Sequence, residues 1–310
     1  GAPTVRLNDG TRMPMLAFSA SMSWNGPERT YNATAAAVAA GFRFFWCSIN
    51  IGAASQRAMM RALSDSAVPR AELYIAGSTS TLVPGAVCHD EPSCYAMTKA
   101  QAAQQVALLT LGGQPLDQLM VVDFAKGASG APSEDCGLVR GPWRALEELK
   151  AAGKVVSLAT ANVAVGDLGG HDGWKLRCLA DATTRPSVSQ EPFCIGHARE
   201  PMRDELRRAG GVVLQAYSPL GHGALLSDAR VAAVAKRHRV STAAVALRWI
   251  TQRNATLVTE SDNPAHIDAD AAIFNFALSS DELAALDEVT STAICGNWSA
   301  AVARASLVGA

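Results

Sequence analysis

Side chains able to do chemistry are spread thinly along this sequence, and their spacing argues against most reactions they suggest. In "GFRFFWCSIN", residues 41–50, Cys47, Ser48 and Asn50 stand close together, yet no base is aimed at Cys47. Six histidines are scattered with no pair at metal-ligand spacing, so no metal site is expected. Asp123 closes an apolar run and reads as a strand-end carboxylate bonded to backbone rather than a catalytic base. Asn162 in "ATAN" and Gln190 in "SVSQ" are strand-end amides, suited equally to loop backbone groups or to a ligand. "TLVTESDNPAHIDAD" gathers Glu260, Asp262, Asp268 and Asp270 around His266, an acidic patch.

The elements that must position these residues alternate along almost the whole chain. Short continuous apolar runs predict strands at Leu16–Ser19, Phe44–Cys47, Leu73–Gly77, Leu119–Asp123, Val155–Ala159, Ser187–Glu191, Val212–Tyr217 and Thr256–Thr259. Helices lie between them. "GPWRALEELKAAGK" places Pro142 in a first turn and Gly153 just past the end. "VSTAAVALRWITQRN" starts from Ser241 or Thr242 as cap and buries Val245, Leu247 and Trp249 or Ile250. Eight strands alternating with helices read as a single closed (β/α)8 barrel over residues 1–310. A doubly wound open sheet is the runner-up, but no Gly-x-Gly-x-x-Gly turn follows the first strand. Two parts stand outside the repeat: a long Pro- and Cys-containing connection at 80–97, and a tail at 290–310.

Composition excludes several function classes. The net charge of -1 offers nothing to a nucleic-acid backbone, and no apolar run approaches a membrane span. Seven scattered cysteines, an odd count, read as an intracellular chain with mostly reduced thiols. Only Cys88 and Cys94, in "CHDEPSC", are near neighbours, and a loop disulfide between them stays open. The first residue is Gly, consistent with cytoplasm or with an organelle such as a plastid after leader removal.

The segments "LNDGTRMPMLAFS", "VPRAELYIA", "RALEELKAAGKV", "SVSQEPF", "LQAYSPLG" and "ALSSDELAALDEV" occur in the order of the aldo-keto reductases, which the chain resembles over roughly residues 5–290. That resemblance implies a barrel binding NADPH across the C-terminal ends of its strands. It also implies carbonyl reduction through an Asp-Tyr-Lys-His tetrad, with Tyr as proton donor. The four tetrad places fall on Trp46, Ile51, Ser78 and Val122, with Asp123 at the last place if the register slips by one. None of the four can act as the family's residues do, so no catalytic residue is assigned. Trp46 and its two Phe neighbours read as core or cavity filler. The implied cofactor contacts are Asn162, Gln190, Tyr217, Ser218, Leu220, Gly221 and Ser261, with departures at Ala17, Ser19, Ala161 and Ser189. Where the family carries Lys and Arg for the adenosine 2′-phosphate stand Glu260 and His266, so the expected cofactor is none or weak NAD(H), with NADP(H) disfavoured.

The sequence therefore predicts a non-catalytic barrel of this descent, a binding or assembly subunit with protein partners met through the 80–97 loop and the tail. The alternative is a divergent NAD(H)-dependent oxidoreductase acting on carbonyl compounds. An open cofactor groove would favour the enzyme, and a mouth plugged by Trp46, Phe44 or the 80–97 loop would favour the subunit.

Overall fold

The computed structural model describes residues 2–20, 26–83, 86–122, 124, 135–163, 173–196 and 200–289. A short hairpin opens it, β1 (Thr4–Arg6) against β2 (Arg12–Pro14). Eight parallel strands then close into a barrel: β3 (Leu16–Ala20), β4 (Phe44–Cys47), β5 (Tyr74–Thr79), β8 (Leu116–Val121), β9 (Val155–Ala161), β10 (Val188–Pro192), β11 (Val213–Tyr217) and β12 (Thr256–Thr259). Between β5 and β8 a second hairpin intervenes, β6 (Leu82–Val83) with β7 (Ala86–Val87). All eight barrel strands overlap the apolar runs predicted from sequence, with β8 shifted towards the N-terminus, from the expected Leu119–Asp123 to Leu116–Val121, and β5 extended to Thr79. The open-sheet alternative is excluded by the closure of β12 onto β3.

Helices wrap the barrel: α1 (Pro27–Ala39), α2 (Gly52–Asp65), α3 (Glu91–Leu109), α4 (Gly137–Ala151), α5 (Trp174–Cys178), α6 (Glu200–Arg208), α7 (Ala229–His238), α8 (Thr242–Gln252), α9 (Pro264–Ala271) and α10 (Ser280–Asp287). Several of them start on a side-chain cap. Ser241 Oγ accepts from Ala244 N at 3.0 Å, as expected for the cap of α8, and both Trp249 and Ile250 are buried. Ser279 and Glu282 form a reciprocal capping box on α10. α4 departs from expectation: it begins at Gly137, so Pro142 lies inside the helix rather than in its first turn. Packing explains the earlier start, because α4 presses closely on α3. A Cβ added at Gly141 would sit 2.6 Å from the Glu91 carbonyl oxygen.

Strand alternation sorts side chains into two cores. Phe45, Cys47, Ile75, Leu119, Val121 and Leu158 point outward to the helices, in the main core between barrel and helix layer. Phe44, Trp46, Tyr74, Ala76, Met120, Ala159, Ala161, Val188 and Val258 point inward and fill the barrel in layers. Leu7 and Met13, from the segment forming the first hairpin, join the inner cluster and close its N-terminal end. Asp9 pins that hairpin: its carboxylate accepts from Thr11, Ser157 (2.7 Å) and Ser187 (3.0 Å). Burial raises the Asp9 pKa, but these hydrogen bonds outweigh it and leave the carboxyl below its usual range.

The cysteines correct the expectation of mostly reduced thiols. Cys88 pairs with Cys94, Cys136 pairs with Cys178, and Cys194 is also disulfide-bonded; Cys47 is free and buried. Sequence scatter conceals this because 42 residues separate Cys136 from its partner, while the fold brings their Cα atoms to 5.3 Å. Within the 80–97 connection the described residues form the paired strands β6 and β7, the Cys88–Cys94 disulfide, and an α3 N-terminus capped by Asp90. Among the described residues no helix is long and apolar enough to cross a membrane.

Candidate functional site

The C-terminal ends of the barrel strands surround a cavity of about 440 Å³, within the range of small-molecule sites. Ser19, Trp46, Ser48, Asn50, Val122 and Asn162 line one part. Gln190, Tyr217 and the Ser218–Leu220 turn continue the wall, which runs on through His222 and Gly223 to Val258, Thr259 and Glu260. Among the described residues the mouth is open. Phe44 lies deeper, fully buried in the barrel interior, and Trp46 forms part of the lining without sealing it.

The tetrad places divide into two pairs. Trp46 and Val122 line the cavity, whereas Ser78 and Ile51 do not. Ser78 is fully buried, and its Oγ accepts a hydrogen bond from Ile49 N at 3.0 Å. That bond ties β5 to the short helical turn Ile49–Ile51, whose own first residue is capped by Ser48. Ile51 packs half-buried against the outer core. The strand ends at Val121, so Val122 follows it, and Asp123 lies outside the described residues. Cys47 is no nucleophile: burial pushes its thiol up to about 12, and the Gln56 amide is its hydrogen-bonding neighbour. Among the described residues no cluster of His, Cys, Asp and Glu is arranged to hold a metal.

Five of the expected cofactor contacts do meet in the cavity: Asn162, Gln190, Tyr217, Ser218 and Leu220. Asn162 sits just past β9 in a left-handed conformation, φ 57°, which carries its amide across the strand ends. Its Oδ1 accepts from the Tyr217 hydroxyl at 2.8 Å, and its Nδ2 donates to the Val122 carbonyl at 3.2 Å. Gln190 Nε2 donates to Gln215 Oε1 at 2.9 Å, one layer of the barrel interior. Ser218 is also left-handed, φ 50°, and starts a turn in which Gly221, His222 and Gly223 are left-handed too. Gly221 and Ser261 stand apart from the lining. Gly221 is buried beneath the turn, and Ser261 Oγ accepts from Asn263 N in the loop before α9.

Two carboxamides, an aromatic ring and a turn of small residues on one wall suit the nicotinamide amide, its ring and a diphosphate. These residues fit a dinucleotide. At the far end the acidic patch dissolves into separate environments. Asp262 forms an ion pair with Arg29 from α1. Asp270 is buried; that burial raises its carboxyl to about 6, against the opposing hydrogen bond from Thr259 Oγ1 at 2.6 Å. Only Glu260 of the four acids lines the cavity. Sequence reading missed Arg29, which lies 233 positions from its partner and carries no local signal.

A profile of the Aldo/keto reductase family matches residues 18–291. An aldo-keto reductase of Mycobacterium sp. (strain JLS) is 29% identical over 93% of this chain and 94% of its own length. Glyoxal reductase of Bacillus subtilis (strain 168) is 28% identical over 92% of this chain and 91% of its own. The structure superimposes on an aldo-keto reductase of Bombyx mori solved in complex with NADP, with a TM-score of 0.73, 19% identity, and coverage of 93% of this chain and 92% of that one. The expectation of no cofactor or weak NAD(H), with NADP(H) disfavoured, is thereby corrected. A structural neighbour holds NADP, and the charge argument weakens because Arg29 offsets Asp262 and neither Asp268 nor Asp270 lines the cavity. With the profile matching most of a closed eight-stranded barrel whose mouth holds the cavity, the chain belongs to the aldo/keto reductase family.

Proposed function

We propose that the chain is a single-domain oxidoreductase that reduces small carbonyl compounds with a dinucleotide of the NADP(H) class. The observation that carries this reading is the cavity at the strand ends, in which Asn162, Gln190 and Tyr217 are gathered while, among the described residues, neither Phe44 nor Trp46 closes the mouth. The family and its curated relatives, glyoxal reductase among them, point the same way. The dinucleotide, when bound, supplies hydride. Asn162 and Gln190 hold its carboxamide, Tyr217 bounds the ring, and Ser218–Leu220 meet the diphosphate.

The family's proton donor is absent, so the alkoxide formed by hydride addition takes its proton elsewhere. Tyr217, His222 and Glu260 are the ionisable side chains in the lining. His222 is exposed on its left-handed turn, in contact with solvent. In this reading His222 delivers the proton through water. Loss of a positioned acid lowers the rate by about 10²–10⁴-fold, so turnover is slow relative to tetrad-bearing relatives.

A second reading keeps one specific observation: Trp46, Ile51, Ser78 and Val122 replace every tetrad side chain and are integrated into packing and turn structure. It makes the protein a non-catalytic subunit that associates through the disulfide-bonded 80–97 segment. Steady-state oxidation of NADPH with glyoxal and a series of small aldehydes, beside calorimetric titration with NADPH, separates the two. Binding with slow, His222-dependent turnover supports the oxidoreductase. Binding without any turnover supports the subunit.

A further inference from the structure

The indole Nε1 of Trp46 is buried and has no hydrogen-bond partner among the described residues, although Trp46 itself lines the cavity. The ring is 9% exposed and belongs to the inner barrel cluster, between Phe44 and the strand end. Filling space does not account for this choice. β4 already uses Phe at two positions, and Phe at 46 would leave no stranded N–H. Buried donors without acceptors are few in native proteins, and each needs an explanation. The surroundings supply one. Ser19 faces Trp46 directly across the β3–β4 pairing, Ser48 follows two residues later, and both hydroxyls line the same cavity. Val122 and Val258 add apolar surface to the lining, and Asn50 and Asn162 add amides. This corner of the cavity is therefore formed by Trp46, whose N–H is buried, and by two serines, with no ionisable side chain at any of these positions.

We propose that Trp46 is a specificity-determining residue whose Nε1–H donates a hydrogen bond to the carbonyl oxygen of the bound substrate. A carbonyl oxygen has lone pairs and no proton, which matches a donor that cannot accept. Because the N–H is buried, donation requires the indole to turn on binding. An indole N–H polarises the carbonyl but does not give up its proton, so Trp46 orients substrate and leaves protonation to another group. The substrate class rests on the oxidoreductase reading above, whereas the hydrogen bond itself does not require turnover.

The test follows the six indole N–H resonances by NMR on the intact chain, with Trp46 assigned by its loss in Trp46→Phe. Acetophenone, ethylbenzene and benzoate are titrated with NADPH present and absent. The expected result is a downfield shift of the Trp46 proton with acetophenone and none with ethylbenzene, which has the same shape without an acceptor. Trp46→Phe should weaken acetophenone binding about five- to tenfold, leave ethylbenzene binding unchanged, and leave the melting temperature level or raised. Equal shifts with both ligands, no binding of acetophenone, or a melting temperature lowered by Trp46→Phe would overturn the proposal. Preferential binding of benzoate would overturn the carbonyl class. Acetophenone binding with the expected shift but no turnover would defeat only the oxidoreductase reading.

Discussion

The Tyr217 hydroxyl donates to Asn162 Oδ1 at 2.8 Å, joining the ends of β11 and β9, which are separated in the barrel by β10. With Asn162 Nδ2 on the Val122 carbonyl, both polar ends of this amide are engaged by the protein. A ligand carboxamide therefore competes with Tyr217 for the same oxygen. Asn162→Ala should weaken NADPH binding about tenfold or more, since a positioned amide is lost. Tyr217→Phe removes the competitor and should leave affinity unchanged or tighten it by a few-fold, within the net worth of one hydrogen bond. Calorimetric dissociation constants for the two variants check this, and a large loss in Tyr217→Phe would show that the hydroxyl serves the ligand rather than competing with it.

Arg29 and Asp262 form an exposed ion pair at the loop that follows β12. Exposed pairs contribute only about 0–1 kcal/mol to stability, so the pair matters more for ligand charge than for folding. Asp262→Asn leaves the Arg29 guanidinium without its counter-charge and should strengthen NADPH binding several-fold relative to NADH. Arg29→Ala should do the reverse. Both effects should shrink at high salt, because the groups are exposed. NADPH-to-NADH affinity ratios at low and high ionic strength decide the matter, and a ratio untouched by either substitution would place the 2′-phosphate elsewhere.

How much of this was legible beforehand follows from the range of each interaction. The eight barrel strands were readable because strands buried on both faces must be continuously apolar, and "FFWC" or "TLVT" cannot be much else. β5 runs on through Ser78 and Thr79, which polarity had hidden and which register against β8 explains. The hairpin Leu82–Val87 is too short for periodicity to mark. Asn162, Gln190 and Tyr217 could be placed because each lies at a strand end. Arg29 and the Cys136–Cys178 bridge could not, since both depend on where helices of the outer layer come to rest. The acidic patch misled because composition counts charges without their partners or their burial.

The disulfides predict a thiol count. Alkylation in denaturant without reductant should modify Cys47 and spare Cys88, Cys94, Cys136, Cys178 and Cys194 until reductant is added. Cys136→Ser with Cys178→Ser opens a bridge of sequence separation 42 and should cost about 2–4 kcal/mol by denaturant melting. Modification of Cys136 in the unreduced protein would contradict the bridge.

Asp270 predicts a pH dependence of stability. Its folded carboxyl is raised to about 6 by burial, from an ordinary 3.8, so ionisation is harder in the folded chain. Its contribution is fully present below pH 3.8 and is lost as pH rises through about 6. At 1.36 kcal/mol per unit, the penalty above that window is on the order of 1–3 kcal/mol. Asp270→Asn keeps an acceptor for Thr259 and avoids the charge. It should stabilise the protein at pH 8, make little difference at pH 4, and flatten the profile between. Equal effects of the substitution at both pH values would remove titration as the cause.

Restoring the tetrad should damage the fold before it restores chemistry. Ser78 is fully buried and its Oγ is the acceptor for Ile49 N, the bond that holds the turn carrying Ile51. Ser78→Lys removes that acceptor and brings an ammonium into a fully buried position opposite Met120 of the neighbouring strand. A charge so placed either ionises at a cost of several kcal/mol or deprotonates. Trp46→Asp supplies a counter-charge but empties most of a large side chain from the inner cluster, and cavity formation costs about 3–5 kcal/mol for such a truncation. Ile51→Tyr alone fares better, because Ile51 is half-buried at the end of its turn and can be enlarged outward. The expected order of urea midpoints is wild type, then Ile51→Tyr slightly lower, then Trp46→Asp with Ser78→Lys, with Ser78→Lys alone lowest. The double variant recovers part of the loss because its two charges satisfy one another, a coupling that a double-mutant cycle measures directly. If the two substitutions prove additive, Asp and Lys do not meet here, and the barrel mouth has diverged in backbone as well as in side chains.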